Sequence, residues 1–378
     1  MLRTLLAAIC TFLNVAALMT VAPVVVQTAS GHAADGGLVT ALFSGATVGA
    51  ELLMPSLLSR YRPGRLFAAA LLLIGGGSLA QLGLGGSVGG TLGLAIIRGL
   101  GFGSAVVTGA VLVAELAAPT ARGRAVGNLG LAIGVASMVA PSLGLLLLGS
   151  LGPSAVFGLA GVVALLGVVL NVDGVDRGRP RPTRRTVQVA HGLRRRSLLV
   201  PVLALALLTM TYGGLVSFGP HLLEPVGWGS AASFFFVYGG GRAAARWVGG
   251  RAADRWGYRS VILPGMALAV LGLLLLTLGA QAGLVVAAGL LYGAGGGLAQ
   301  SGAFVGMLVG AERSEVPLVS TLWNMAFDGG VSVGGALLGL VAATSGERAV
   351  LWMLPPLAVL ALLLFASDWR TRVATVGV

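Results

Sequence analysis

Lysine is missing altogether: all 24 basic side chains, set against 12 acidic ones, are arginine. Without lysine no phosphate-binding loop of the G-x-x-x-x-G-K-[ST] type can be built, which excludes an internal ATP engine and a nucleotide partner of that kind. Cysteine is almost absent, and the single Cys10 supports neither a disulfide framework nor a thiolate metal site. His32 and His221 are too isolated from each other to suggest a metal centre, and no cofactor is called for. No helical H-E-x-x-H pattern or comparable set of nucleophile and base occurs, which argues against an intramembrane enzyme. Charge itself is scarce: 10% of residues are charged, against about a quarter in a soluble domain.

What fills the chain is apolar. Hydrophobic residues make up 56% of it, and the mean hydropathy is +0.96. Apolar runs of about twenty residues recur, each long enough to cross roughly 30 Å of hydrocarbon as a helix. None shows the period-two alternation of barrel strands. About twelve transmembrane helices are expected, over 2–26, 37–58, 65–84, 91–112, 125–148, 154–170, 198–219, 229–249, 260–279, 284–309, 317–343 and 350–366. The first, although preceded by Arg3, is longer than a signal-peptide core and is read as a span.

The net charge of +12 would suggest nucleic acid in a soluble protein, but the arginines sit between apolar runs and read as topology signals. With the N-terminus inside, nearly every loop arginine falls on the cytoplasmic side and Arg348 alone falls outside. Both termini are therefore expected in the cytoplasm, in a multi-pass protein of the cytoplasmic or inner membrane. The polar stretch 171–197, with Pro180, Pro182 and eight arginines, reads as a cytoplasmic tether between a six-helix bundle at 1–170 and another at 198–378.

An internal repeat supports the same division. The stretch Glu51 to Tyr61 can be laid over Arg246 to Trp256, each ending the second helix of its half. Parallel six-span repeats with a site between them near the midplane are a known transporter architecture.

Gly250-Arg251-Ala252-Ala253-Asp254-Arg255-Trp256-Gly257-Tyr258-Arg259 resembles the G-x-x-x-D-R-x-G-x-R loop of the major facilitator superfamily. Arg98-Gly-Leu-Gly101-Phe-Gly103 is similar to its fourth-span signature, and Pro119 with Arg122 to Gly127 to its following loop. Gly134 through Pro141 and Gly144 resembles the fifth-span packing motif of proton antiporters, with Ala140 in place of the usual glycine. The resemblance covers nearly the whole chain and is closest to bacterial drug and sugar efflux permeases. It implies a conformational latch made by Gly250, Asp254, Arg255, Gly257 and Arg259. In the first-half copy, Ser59 stands where the latch aspartate belongs and Pro55 where its first glycine belongs.

An ionisable group in hydrocarbon is expensive unless paired or hydrated, so each becomes a functional hypothesis. Asp328 falls near the middle of the eleventh span; Glu51, Arg242 and Arg246 fall in the inner halves of the second and eighth; Arg98 falls in the outer part of the fourth. Asp328 and Glu51 are the candidate proton carriers, and Arg242 or Arg246 would neutralise Asp328 if their helices meet. Trp323, Asn324, Phe327 and Asp328 share a helical face suited to a cavity wall. Tyr238 lies one turn before Arg242, and Asn14, Tyr212 and Gln300 are further cavity candidates, each equally suited to bonding between helices.

The function expected is secondary active transport by alternating access, coupling protons to export of a small amphiphilic organic molecule. Import of a sugar or metabolite by a symporter or uniporter is the alternative, and a non-transporting membrane sensor is a third reading from another class.

Overall fold

A computed structural model describes residues 2–84, 87–117, 122–172, 175–176, 189–223, 228–279, 281–309, 311–312 and 315–376. Helices occupy almost all of them: α1 (Leu2–Ser30), α2 (Ala33–Arg60), α3 (Pro63–Leu84), α4 (Val88–Leu116), α5 (Arg122–Leu170), α6 (Val189–Arg194), α7 (Arg196–Leu222), α8 (Trp228–Trp256), α9 (Arg259–Thr277), α10 (Ala282–Leu308), α11 (Val316–Ser345) and α12 (Glu347–Val376). Pro119 and residues 177–188 of the tether lie outside the described residues.

Ten helices among the described residues are long and apolar enough to cross a membrane. The twelve expected crossings are nevertheless present. At 1.5 Å per residue, the 42-residue apolar stretch Leu129–Leu170 would reach ~63 Å, twice the hydrocarbon thickness. It is broken at Gly152, whose φ of 79° and ψ of 174° are open to glycine but strained for other residues, and Pro153 starts the second arm. The arms run back along each other: Gly144 in the first lies against Ala17 of α1, and Gly167 in the second against Ala7. The other crossing is α8, in which Arg242, Arg246, Arg251, Asp254 and Arg255 dilute the apolar signal.

Glycine sets the packing inside each repeat. Gly99 and Gly103 of α4 lie directly on the carbonyl oxygens of Phe43 and Thr47 of α2, and Gly293 and Gly297 of α10 lie on those of Tyr238 and Arg242 of α8. Any side chain at these four positions would collide with backbone, so the small residues permit the close approach of the helices. The two arrangements correspond, placing Phe43 on Tyr238 and Thr47 on Arg242. One turn further along, Glu51 falls on Arg246, as the alignment of second-helix ends suggests.

Contacts between the repeats follow two seams and a junction. Gly37 of α2 packs backbone to backbone with Gly335 and Gly339 of α11, and Ser332 Oγ donates to the Ala41 carbonyl at 2.8 Å. In the second seam, Gly239 of α8 abuts Met138 of α5, and Ser142 Oγ donates to the Ala232 carbonyl at 2.7 Å. At the junction, Ser217 Oγ of α7 donates to Thr40 Oγ1 at 2.7 Å, while Gln27 Nε2 of α1 donates to the Ser217 carbonyl at 3.4 Å. All of these bonds lie between the level of Glu51 and the turn joining α1 to α2. Toward the opposite end Arg246 stands exposed.

Candidate functional site

Beneath the sealed end two acids face each other across the α2–α11 seam. Because α2 and α11 run antiparallel, the register that pairs Gly37 with Gly339 and Gly45 with Ser332 brings Glu51 to the level of Asp328. Their carboxylates are close enough to act on each other electrostatically. Glu51 is 5% exposed, and both its oxygens are buried without a hydrogen-bond partner among the described residues. Burying an unpaired carboxylate costs several kcal/mol, so Glu51 contributes nothing to the fold that a leucine would not provide more cheaply. Asp328 is also buried, with Asn324 one turn before it on α11.

Arg242 lies within electrostatic reach of Asp328, but no ion-pair contact joins them among the described residues. The expected neutralising salt bridge is therefore not formed, by Arg242 or by Arg246. Arg242 lies instead against the faces of Tyr212 and Phe327, 5.9 and 4.9 Å from the guanidinium carbon, with Tyr238 within electrostatic reach. Such cation–ring contacts substitute for a counterion in a partly dry site. Its helix α8 packs on α10, and the guanidinium rests on rings contributed by α7 and α11.

The rings themselves form a stack. Tyr292, Tyr238 and Tyr212 follow with centroids 5.3 and 5.1 Å apart and planes 23° and 16° from parallel, and Phe327 continues the row 6.1 Å beyond Tyr212. Thr211 and the Tyr292 hydroxyl share a 2.8 Å hydrogen bond that fixes the far end. On the next turn of α8, Arg246 lies 5.5 Å from the Trp323 ring, whose Nε1 donates to the Gln300 carbonyl at 3.1 Å. The side-chain oxygen of Gln300 is buried and has no partner among the described residues. Tyr212, Tyr238, Gln300, Trp323, Phe327 and the two arginines are thus brought together in one wall of the second repeat. Tyr292 joins them unannounced; its only signal in the sequence is a tyrosine beside Gly293 in an otherwise apolar run.

The first repeat treats its polar residues differently. Asn14 does not join this group: its Nδ2 donates to Ser78 Oγ at 3.0 Å and to the Ala160 carbonyl at 2.7 Å, tying α1 to α3 and to the second arm of α5. Arg98 is 4% exposed; its Nε donates to the Leu94 carbonyl at 3.4 Å, and its guanidinium lies 5.7 Å from the Phe157 ring. Both border a small cleft between α1, α2 and α4.

A family model described as the Major Facilitator Superfamily matches residues 4–305, most of the chain. The chain belongs to the major facilitator superfamily. Superfamily members are transporters and not enzymes, and the twelve crossings in two six-span repeats accord with that membership. Among solved structures, the nucleoside transporter NupG superposes with a TM-score of 0.78 at 12% identity, covering 98% of each chain. A bacterial homolog of the human lysosomal transporter Spinster, inward-facing and unoccupied, gives 0.74 at 15% identity over 97% of this chain and 94% of that one. The xylose transporter XylE from E. coli, partially occluded and inward open, gives 0.70 at 17% over 97% and 96%. At such identities the likeness is one of fold. No curated protein sequence matches the chain.

The superfamily loop occupies the turn between α8 and α9, at the end away from the seal. Gly257 adopts a φ of 83°, which a side chain there would strain, and it separates the two helices. Asp254 and Arg255 are exposed, Arg255 lies 5.5 Å from the Trp256 ring, and Arg259 Nε donates to Tyr258 Oη at 3.1 Å. Gly250 faces open space. Of the fifth-span glycines, Gly134 faces Ala243 of α8 and Gly144 faces Ala17 of α1, while Pro141 is buried between them in the first arm of α5.

Proposed function

We propose that this superfamily member is a proton-coupled transporter of the inner or cytoplasmic membrane that exports a small amphiphilic organic molecule. The halves 1–170 and 198–378, tethered by 171–197, rock about the site between them. The observation that carries the reading is the Glu51–Asp328 pair, two buried acids at the interface of the repeats, one of them without a hydrogen-bond partner among the described residues. Either can take up a proton on one side and release it on the other as access alternates. The excess of arginine in the loops on the side of the termini supports a cytoplasmic location for both termini. On that orientation the sealed end faces outward and the state is inward-facing, like that of the Spinster homolog. The α8–α9 loop, with Asp254, Arg255 and Arg259, would then be the latch of the opposite state.

Import remains a second reading, favoured by the likeness to a nucleoside transporter and a xylose transporter. Flux in proteoliposomes under imposed pH gradients separates the two. Export by antiport requires substrate to move against the proton flow and to lose that coupling in Glu51→Gln or Asp328→Asn. Substrate moving with the protons establishes symport, and full coupling in both variants removes the acids from the mechanism.

A further inference from the structure

We propose that the wall built by α7, α8, α10 and α11 recognises a planar organic anion, such as an aromatic carboxylate, gripped by the Arg246 guanidinium and stacked on Trp323 and Phe327. The chemistry of the site stands on its own; that the bound anion is carried across the membrane rests on the transport reading above.

Two guanidiniums stand one turn apart on α8 with no carboxylate in ion-pair contact among the described residues. Arg242 is already engaged by two ring faces, those of Tyr212 and Phe327. Arg246 is exposed; Trp323 covers one face of its side chain and leaves the fork of N–H donors free to take a carboxylate by two parallel bonds. The equivalent positions of the first repeat are Thr47 and Glu51, so the helix pairing does not require arginines, and their presence here is a departure from the repeat. Aromatic residues are only 6% of the chain, yet three of its five tyrosines stack in this wall. A flat ring extends such a stack, as offset rings 4.5–7 Å apart attract each other. A cationic ligand would meet two like charges on α8, and a neutral one would leave the donors of Arg246 without an anionic partner.

The test compares three probes of one shape and different charge: 1-naphthoate, 1-naphthylmethanol and 1-naphthylmethylammonium. Equilibrium binding is measured with the full chain in lipid nanodiscs, with empty nanodiscs subtracting partition into lipid. Naphthoate is expected to bind at least about tenfold tighter than the neutral probe, as a charge-assisted bidentate contact implies. Arg246→Gln should bring that ratio close to one while leaving the neutral probe's affinity within about twofold. Trp323→Leu should weaken every probe but keep the ratio, and Arg251→Gln, at the exposed end of α8, should change neither. Equal or tighter binding of the neutral or cationic probe by the native protein overturns the proposal, as does an unchanged ratio in Arg246→Gln. Counterflow in proteoliposomes then tells the two ideas apart. Anion-selective binding without exchange upholds the site and counts against transport, whereas exchange of the neutral or cationic probe in place of naphthoate overturns the site and upholds transport.

Discussion

Replacing Gly335 by alanine should force the sealed end of the molecule open. A methyl group there would stand 2.7 Å from the Gly37 carbonyl oxygen, 3.1 Å from the Ala41 nitrogen and 3.1 Å from Thr40 Cβ. Unstrained contacts lie at about 3.5 Å or more, so α2 and α11 must separate by roughly 0.5–1 Å, and overpacking on this scale costs about 1–3 kcal/mol. All three obstructing atoms belong to α2. The strain is therefore relieved by moving α11 away from α2, which parts the repeats. At 1.4 kcal/mol per factor of ten, the population with this end open should rise about five- to a hundredfold. Thr40 reports the event, being 2% exposed and covered by Ser217 while the seam is closed. In a Cys10→Ala background, Thr40→Cys should react with a water-soluble maleimide at least about fivefold faster once Gly335→Ala is added. Gly296→Ala, where the new methyl meets nothing within 4 Å, should leave the rate alone. A folded Gly335→Ala protein that labels no faster than its parent would refute the idea that this seam is a gate.

Other substitutions separate structural from functional polarity. Glu51→Gln should preserve or raise the melting temperature, since it removes a dry unpaired carboxylate, while reducing proton-driven flux to the level seen without a gradient; a lower melting temperature with intact coupling would contradict the placement. Asn14→Ala breaks the bonds to Ser78 and Ala160 and should destabilise the protein by about 1–3 kcal/mol with probe binding unchanged, a combination that thermal melts and binding measurements read directly. Gly103→Leu or Gly297→Leu should abolish monodisperse protein in size-exclusion chromatography because each drives a side chain into a carbonyl of the neighbouring helix, whereas Gly296→Leu should be tolerated.

How much of this was legible beforehand depends on the range of the interaction concerned. Spans follow from runs of apolar residues, which are local, and even α8 is legible once its arginines are recognised as residues of a cavity wall and a loop. The equivalence of Glu51 and Arg246 is written in the alignment of helix ends because repeats preserve sequence position. Partnership is not local. Arg242 and Asp328 look like a salt bridge until the guanidinium is seen to rest on the rings of α7 and α11. That the Asn14 amide bonds Ser78 and the Ala160 carbonyl while bordering a cleft of the first repeat is visible only once the helices are placed. The junction of Gln27, Thr40 and Ser217 carries no motif at all. Its residues are common small polar types, and only the docking of one repeat on the other gives them a role.

The corner at Gly152 bears on how the chain is made. Between the two arms of α5 no polar loop intervenes: the stretch from Leu148 to Ser154 contains no charged residue, and the reversal is accomplished at a single glycine followed by proline. With no charged segment between these crossings, the fifth and sixth spans are expected to enter the bilayer together as one hairpin. Their orientation is then dictated by the arginines that precede and follow the pair. A short hydrophilic epitope inserted after Gly152 would divide that single insertion event into two, and the damage would appear during biogenesis, before any question of transport arises.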